Sequence, residues 1–238
     1  MADPGATAEI LKRALDYPYA APERSYLYRD GEAAALPAGR LDLDGRTPLL
    51  AYGANAAPSA LARKLAPLPG VAMPVLRAEL AGFDVVYSAH VSPYGAIPGT
   101  LQRSTGALAP VSVVYPSEEQ LALLSATEPN YELRRLAGIA CRVEGTGTVD
   151  ELAAFVSRHG CLVLDGGEVG VGAIASASRA LPALTEREVQ SRVRDLLEPG
   201  VSLEEFVLAG IDPAVASART TALRATANPT VFDRGTPE

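Results

Sequence analysis

TPLLAYGANAAPSALARKLA, residues 47–66, sets the reading of the whole chain. TPLLAY (47–52) is an apolar run of strand length, which predicts a buried strand. Gly53 to Ala57 predicts a tight loop. Pro58 then opens the helix SALARKLA, because proline at the first helical position gives up a donor that a helix start leaves unpaired anyway. In the loop Tyr52-Gly53-Ala54-Asn55, Gly53 lets a backbone or ligand approach closely, and the free amides of a helix start favour an anion. Any strand-to-helix loop needs residues of this kind, so a second feature is required before the loop means chemistry.

Working outward from the loop, VLRAELAGFDVVYSAHV (75–91) predicts two strands around a turn at Gly82, and SPYGAIPGT a mobile loop rich in Gly and Pro. VSVVYP is a strand, after which Ser117 and Gln120 form a capping box that opens the helix SEEQLALLSAT. Glu128 falls just past that helix, Pro129 forbids its continuation, and YELRRLAGIACRV from Tyr131 resumes strand character. Glu128 is the second feature. Helix-end carbonyls carry partial negative charge, disfavour a carboxylate anion beside them and so raise its pKa towards the range useful for proton transfer at neutral pH. ELAAFVSRHG and CLVLDGGEVGVGAI read as further strands, the latter turning at Asp165-Gly166. TEREVQSRVRDLL and SLEEFVLAGI read as helices.

Upstream, TAEILKRAL (7–15) predicts an amphipathic helix capped by Thr7, and SYLYRDGEAAAL a hairpin turning at Asp30-Gly31. This divides the chain into an N-terminal extension (1–46) with no chemistry assigned to it, an αβ core (47–170) and a helical C-terminal segment (171–238). Both terminal segments carry apolar faces that are costly to leave in water, so they are expected to pack on the core.

Composition limits the functions to consider. Of 238 residues, 48% are hydrophobic and 21% charged, the profile of a globular chain, and the formal charge of −7 provides no broad basic surface for nucleic acid. No apolar run approaches membrane-spanning length and no export signal opens the chain, so a cytoplasmic, soluble protein is expected. Cys141 and Cys161 lack the spacing and the neighbours of a zinc site, which leaves buried thiols and no metal. Ser88, His90 and Asp84 are the residue types of a hydrolase triad, yet no G-x-S-x-G elbow is present and they are read as structural polar groups. His159 reads as a turn residue. The glycines at 166, 167, 170 and 172 follow neither dinucleotide nor P-loop order and read as a hairpin.

Taken together, LLAYGAN (49–55) and LALLSATE (121–128), with LRAELAGFDVVYSAH (76–90) between them, resemble the γ-glutamylcyclotransferase-like family. Its signature is a YGSN loop after the first core strand and, much later, a helix ending in Glu. The resemblance covers about 47–165. The chain departs from the pattern with Ala54 in place of Ser and Ala56 where Leu often follows the Asn. The resemblance implies an α+β fold, a small mixed β-barrel with helices around it, and no metal or organic cofactor. It also implies intramolecular aminolysis of a γ-glutamyl amine or related small compound with release of 5-oxoproline, on a small-molecule substrate that carries a carboxylate. By position, Glu128 is the acid/base; Tyr52, Gly53, Ala54 and Asn55 hold the substrate, and Tyr131 is a further contact. A non-catalytic small-molecule or protein-binding module on the same fold is the alternative reading. A third is a structural interaction protein working through its terminal segments.

Overall fold

The computed structural model describes residues 4–230; the outermost parts of the two terminal segments, 1–3 and 231–238, lie outside the described residues. In chain order the elements are α1 (Pro4–Leu15), the hairpin β1 (Tyr26–Arg29) and β2 (Glu32–Ala34), β3 (Leu49–Ala51), α2 (Pro58–Lys64), β4 (Ala72–Tyr87), β5 (Gly99–Val114), α3 (Glu118–Ala126), β6 (Tyr131–Val143) and β7 (Gly147–Ser157). The short strands β8 (Val163–Leu164), β9 (Gly167–Glu168), β10 (Gly170–Val171) and β11 (Ala183–Leu184) follow, then α4 (Glu186–Leu197), α5 (Leu203–Ala209) and α6 (Pro213–Arg224).

Strand pairing runs β4-β5-β3-β7-β6, and β6 pairs back onto β4, so five strands close into a barrel. Only β3 and β7 run parallel within it, with Leu49 opposite Ala153; the other neighbours are antiparallel. Alternation along each strand separates two cores. Leu50 and Tyr52, Leu76, Ala78 and Leu80, Val111 and Val113, and Leu152 and Ala154 point into the barrel. Leu49, Ala51, Val75, Val114 and Phe155 point outward, onto Leu61 and Leu65 around α2 and Leu124 of α3. The expected small mixed barrel with surrounding helices is the observed architecture, α+β with six helices among the described residues.

Several local expectations are corrected. The turn expected at Gly82 is a bulge: β4 runs on for 16 residues, and its register against β5 shifts between Ala81 and Phe83, with Gly82 at φ 77°. Beyond the bulge, β4 leaves the barrel wall and takes β10 as a neighbour at Val86. The first half of β5, from Gly99, was not expected as strand at all. The 92–98 segment is not a mobile loop; Ser92, Ala96 and Ile97 are buried. α1 starts at Pro4, so Thr7 sits inside the helix and does not cap it. The hairpin turns at Asp30-Gly31 and Asp165-Gly166 form as expected, each with two successive positive φ angles.

The terminal segments pack on this frame. β1 pairs with the N-terminal end of β4, Tyr26 opposite Val75. Leu11, Ala14 and Leu15 of α1 pack on Leu203 and Val207 of α5. Thr185 with Glu188, and Ser202 with Glu205, form capping boxes at α4 and α5. α6 was not foreseen, although Asp212 caps it and Pro213 stands at its first position. No helix among the described residues is long and apolar enough to cross a membrane.

Candidate active site

β3 carries the chain out of the barrel at Tyr52, whose buried hydroxyl donates to the carbonyl of Phe155 on β7 and fixes where the loop begins. Gly53 sits at φ −148° and ψ −138°, and a single 3-10 turn, Ala54–Ala56, leads to Pro58 and α2. The close approach that Gly53 permits is made by the protein itself: a Cβ there would lie 2.5 Å from the hydroxyl oxygen of Tyr17.

α3 ends at Thr127, and the turn through Glu128, Pro129 and Asn130 closes with the Tyr131 N–H donating to the Glu128 carbonyl at 3.0 Å. That turn aims the Glu128 side chain back at the first loop. Its Oε1 accepts from Asn55 Nδ2 at 3.1 Å and from the ammonium of Lys64, which also donates to Asn55 Oδ1 at 2.8 Å. The three side chains form a closed triangle at the junction of α2 and α3. Reading the helix end alone missed Lys64, the last residue of α2, which sets an opposite charge against the carboxylate. Its position nine residues after Asn55, in the final turn of a helix started by Pro58, was the available signal.

A cavity of about 260 Å³ opens over this triangle, and Tyr52, Gly53, Ala54, Asn55, Glu128 and Tyr131 all line it. Just below the ~300–1,000 Å³ typical of ligand sites, it suits a compact molecule. The opposite wall comes from segments to which no chemistry had been assigned: Arg13, Tyr17 and Tyr19 from the N-terminal arm, and Ser92 and Tyr94 from the 92–98 loop. Gly99 ties the two walls together, since its N–H donates to Tyr17 Oη at 2.8 Å and its carbonyl accepts from Tyr131 Oη at 2.9 Å. At the mouth, the Arg13 guanidinium lies 4.9 Å from the Tyr94 ring and that of Arg63 5.0 Å from the Tyr19 ring.

Electrostatics narrows the groups able to move protons. Burial pushes the phenols of Tyr17, Tyr52, Tyr94 and Tyr131 up, and the Glu128 charge adds to this at the last three. They are neutral at any ordinary pH. His90, also in the cavity wall, is held well below its usual range by burial and then by His159. Asp84 is remote from this chemistry: it accepts from Arg179 Nε at 2.6 Å and from Ser176 at 2.6 Å inside the barrel extension, so Ser88, His90 and Asp84 form no triad. Both cysteines are buried thiols, and among the described residues no three His, Cys, Asp or Glu side chains group to hold a metal.

No protein-family model matches the chain, and no curated protein matches its sequence. Among solved structures, the solution structure of At3g28950.1 from Arabidopsis thaliana is similar at a TM-score of 0.36 and 15% identity, over 51% of this chain. The match spans 66% of that protein, less than two thirds of its length. What the chain's own geometry establishes is a five-stranded barrel, closed by β4 and β6, with helices around it and a small cavity at the junction of α2 and α3.

Proposed function

We propose that the chain is a γ-glutamylcyclotransferase-type enzyme that releases 5-oxoproline from a γ-glutamyl amine or related small compound. One observation carries this reading: the Glu128 carboxylate meets Asn55 across a compact cavity whose tyrosines and histidine are tuned away from proton transfer. In the reaction, the substrate's α-ammonium nitrogen becomes a lactam N–H and gives up two protons, while the leaving nitrogen gains two to depart as an ammonium. Glu128 passes them one at a time and ends ionised, as it began. The attacking and departing groups belong to one molecule, so the protein's remaining task is to hold it folded, with its carboxylate at the 52–55 loop and near the cations Lys64 and Arg63. The substrate's own ammonium takes over the contact that Lys64 makes with Glu128.

The alternative, a non-catalytic binding module on the same fold, draws on the same triangle: an ammonium locked on the carboxylate would block proton uptake, and Ala54 removes a hydroxyl from the loop. The test is a panel of γ-glutamyl amines incubated with purified protein while 5-oxoproline is followed. Turnover of one member supports the enzyme; binding without release of 5-oxoproline supports the module.

A further inference from the structure

The imidazole of His90 is anchored at one end of a directed chain of hydrogen bonds. The main-chain N–H of His159, a donor only, gives to Ser157 Oγ at 3.0 Å. Ser157 Oγ lies 2.6 Å from Ser88 Oγ, which lies 2.7 Å from His90 Nδ1. Both hydroxyls and the ring are buried. Were the ring hydrogen on Nδ1, it would give to Ser88 and Ser88 to Ser157, and the Ser157 proton would be left without an acceptor in this chain of contacts. In the other direction Ser157 gives to Ser88, Ser88 gives to Nδ1, and every proton is used. Nδ1 therefore accepts, and Nε2 carries the hydrogen.

That Nε2–H is buried without a partner in the protein. The His159 ring lies 4.8 Å away, 34° from parallel, and no hydrogen bond joins the two rings: His159 Nδ1 is likewise buried without a partner. The ring borders the cavity beside Tyr131, which it meets edge to face at 5.5 Å. A buried donor is costly to leave unpaired, and one in a cavity wall is satisfied by what the cavity holds.

We infer that His90 is a ligand-binding residue whose neutral Nε2–H donates to the acyl oxygen of the bound molecule. The identity of that oxygen rests on the cyclotransferase reading. As the α-amine nitrogen bonds to the γ-carbon, the carbonyl π pair moves onto this oxygen, and the hydrogen bond strengthens where the charge develops. Burial and the neighbouring His159 keep the imidazole uncharged, so it serves as a donor and leaves proton transfer to Glu128.

Two substitutions separate this role from a structural one. His90→Asn retains an oxygen able to accept from Ser88 but has no atom at the Nε2 position, whereas His90→Gln brings an amide N–H there. His90→Asn is expected to melt near wild type and to lose about 10²- to 10³-fold in kcat with little change in KM, and His90→Gln to recover part of the loss. Side-chain ¹⁵N NMR supplies a readout independent of turnover: the free protein shows the Nε2–H tautomer at His90, and adding 5-oxoproline moves that resonance. A wild-type kcat in His90→Asn, an Nδ1–H tautomer, or a resonance indifferent to 5-oxoproline overturns the inference. If no γ-glutamyl amine is turned over and the resonance still moves, the proposed reaction falls and the His90 site stands.

Discussion

The two walls of the cavity are built in different ways. The wall bearing Asn55, Lys64 and Glu128 comes from two junctions, β3 to α2 and α3 to β6, where a proline and a capping box dictate locally where each helix starts. The wall bearing Tyr17, Tyr19 and Tyr94 comes from an irregular arm and a buried loop, whose positions depend on contacts far along the chain: Tyr17 with Gly99, and Ile97 with Glu186. The carboxylate and its ammonium partner therefore sit where local sequence determines geometry. Shape and enclosure sit where only the finished fold does.

The largest expected effect falls on the first wall. Glu128→Gln keeps size and the contact with Asn55 but removes proton transfer, so turnover falls by about 10²–10⁴ or more while the protein stays folded; a variant that turns over like wild type would remove Glu128 from the chemistry. Where the walls meet, Gly53→Ala drives a methyl into the Tyr17 hydroxyl, which the Gly99 N–H holds in place, and is expected to cost about 1–3 kcal/mol in urea unfolding together with ligand binding. Tyr17→Phe relieves that clash, so the double variant should lose less than the sum of the singles; strict additivity would mean the walls are independent.

Lys64→Met leaves a half-buried carboxylate without its cation and is expected to cost about 1–3 kcal/mol, most of it recovered in Lys64→Met/Glu128→Gln. A double variant as unstable as the single would show that the ion pair carries no weight. A further prediction probes the second wall through pH. Burial holds the Glu186 carboxyl, which accepts from Ile97 N–H under the 92–98 loop, up at about 8 against an ordinary 4.5. The folded state thus keeps a proton that the unfolded chain has released. Its stabilisation is complete below pH 4.5 and is lost as pH rises to about 8. Glu186→Gln should flatten the decline of the urea midpoint across that window, and an unchanged slope would assign the decline to other groups.

The same division governs what the sequence disclosed. Ser117 with Gln120, Pro58, and the Asp30-Gly31 and Asp165-Gly166 turns are local devices, and the elements they punctuate appear where expected. Tyr52, Asn55, Glu128 and Tyr131 sit beside those devices and share a cavity. Gly82 was misread because the same positive φ serves a turn and a bulge, and only the pairing of β4 with β5 tells them apart. The first half of β5 was missed because LQRSTGAL holds four consecutive polar residues, Gln102 to Thr105, and then Gly106, with no apolar alternation to mark a strand. Tyr17 and His90 gain their roles from partners 82 and 67 residues away, reached directly or through Ser88, which no local pattern encodes.

The packing of α1 on α5 gives the far end of the chain a hold on the pocket. Leu11, Ala14 and Leu15 rest on Leu203 and Val207, and two residues after Leu15 comes Tyr17. A chain cut short before α5 would keep all five barrel strands and every cavity-lining residue, yet the helix that delivers Tyr17 would have lost its seat. During synthesis the same dependence holds in time. α1 leaves the ribosome well before α5, and the pocket takes its final shape only once α5 has been made.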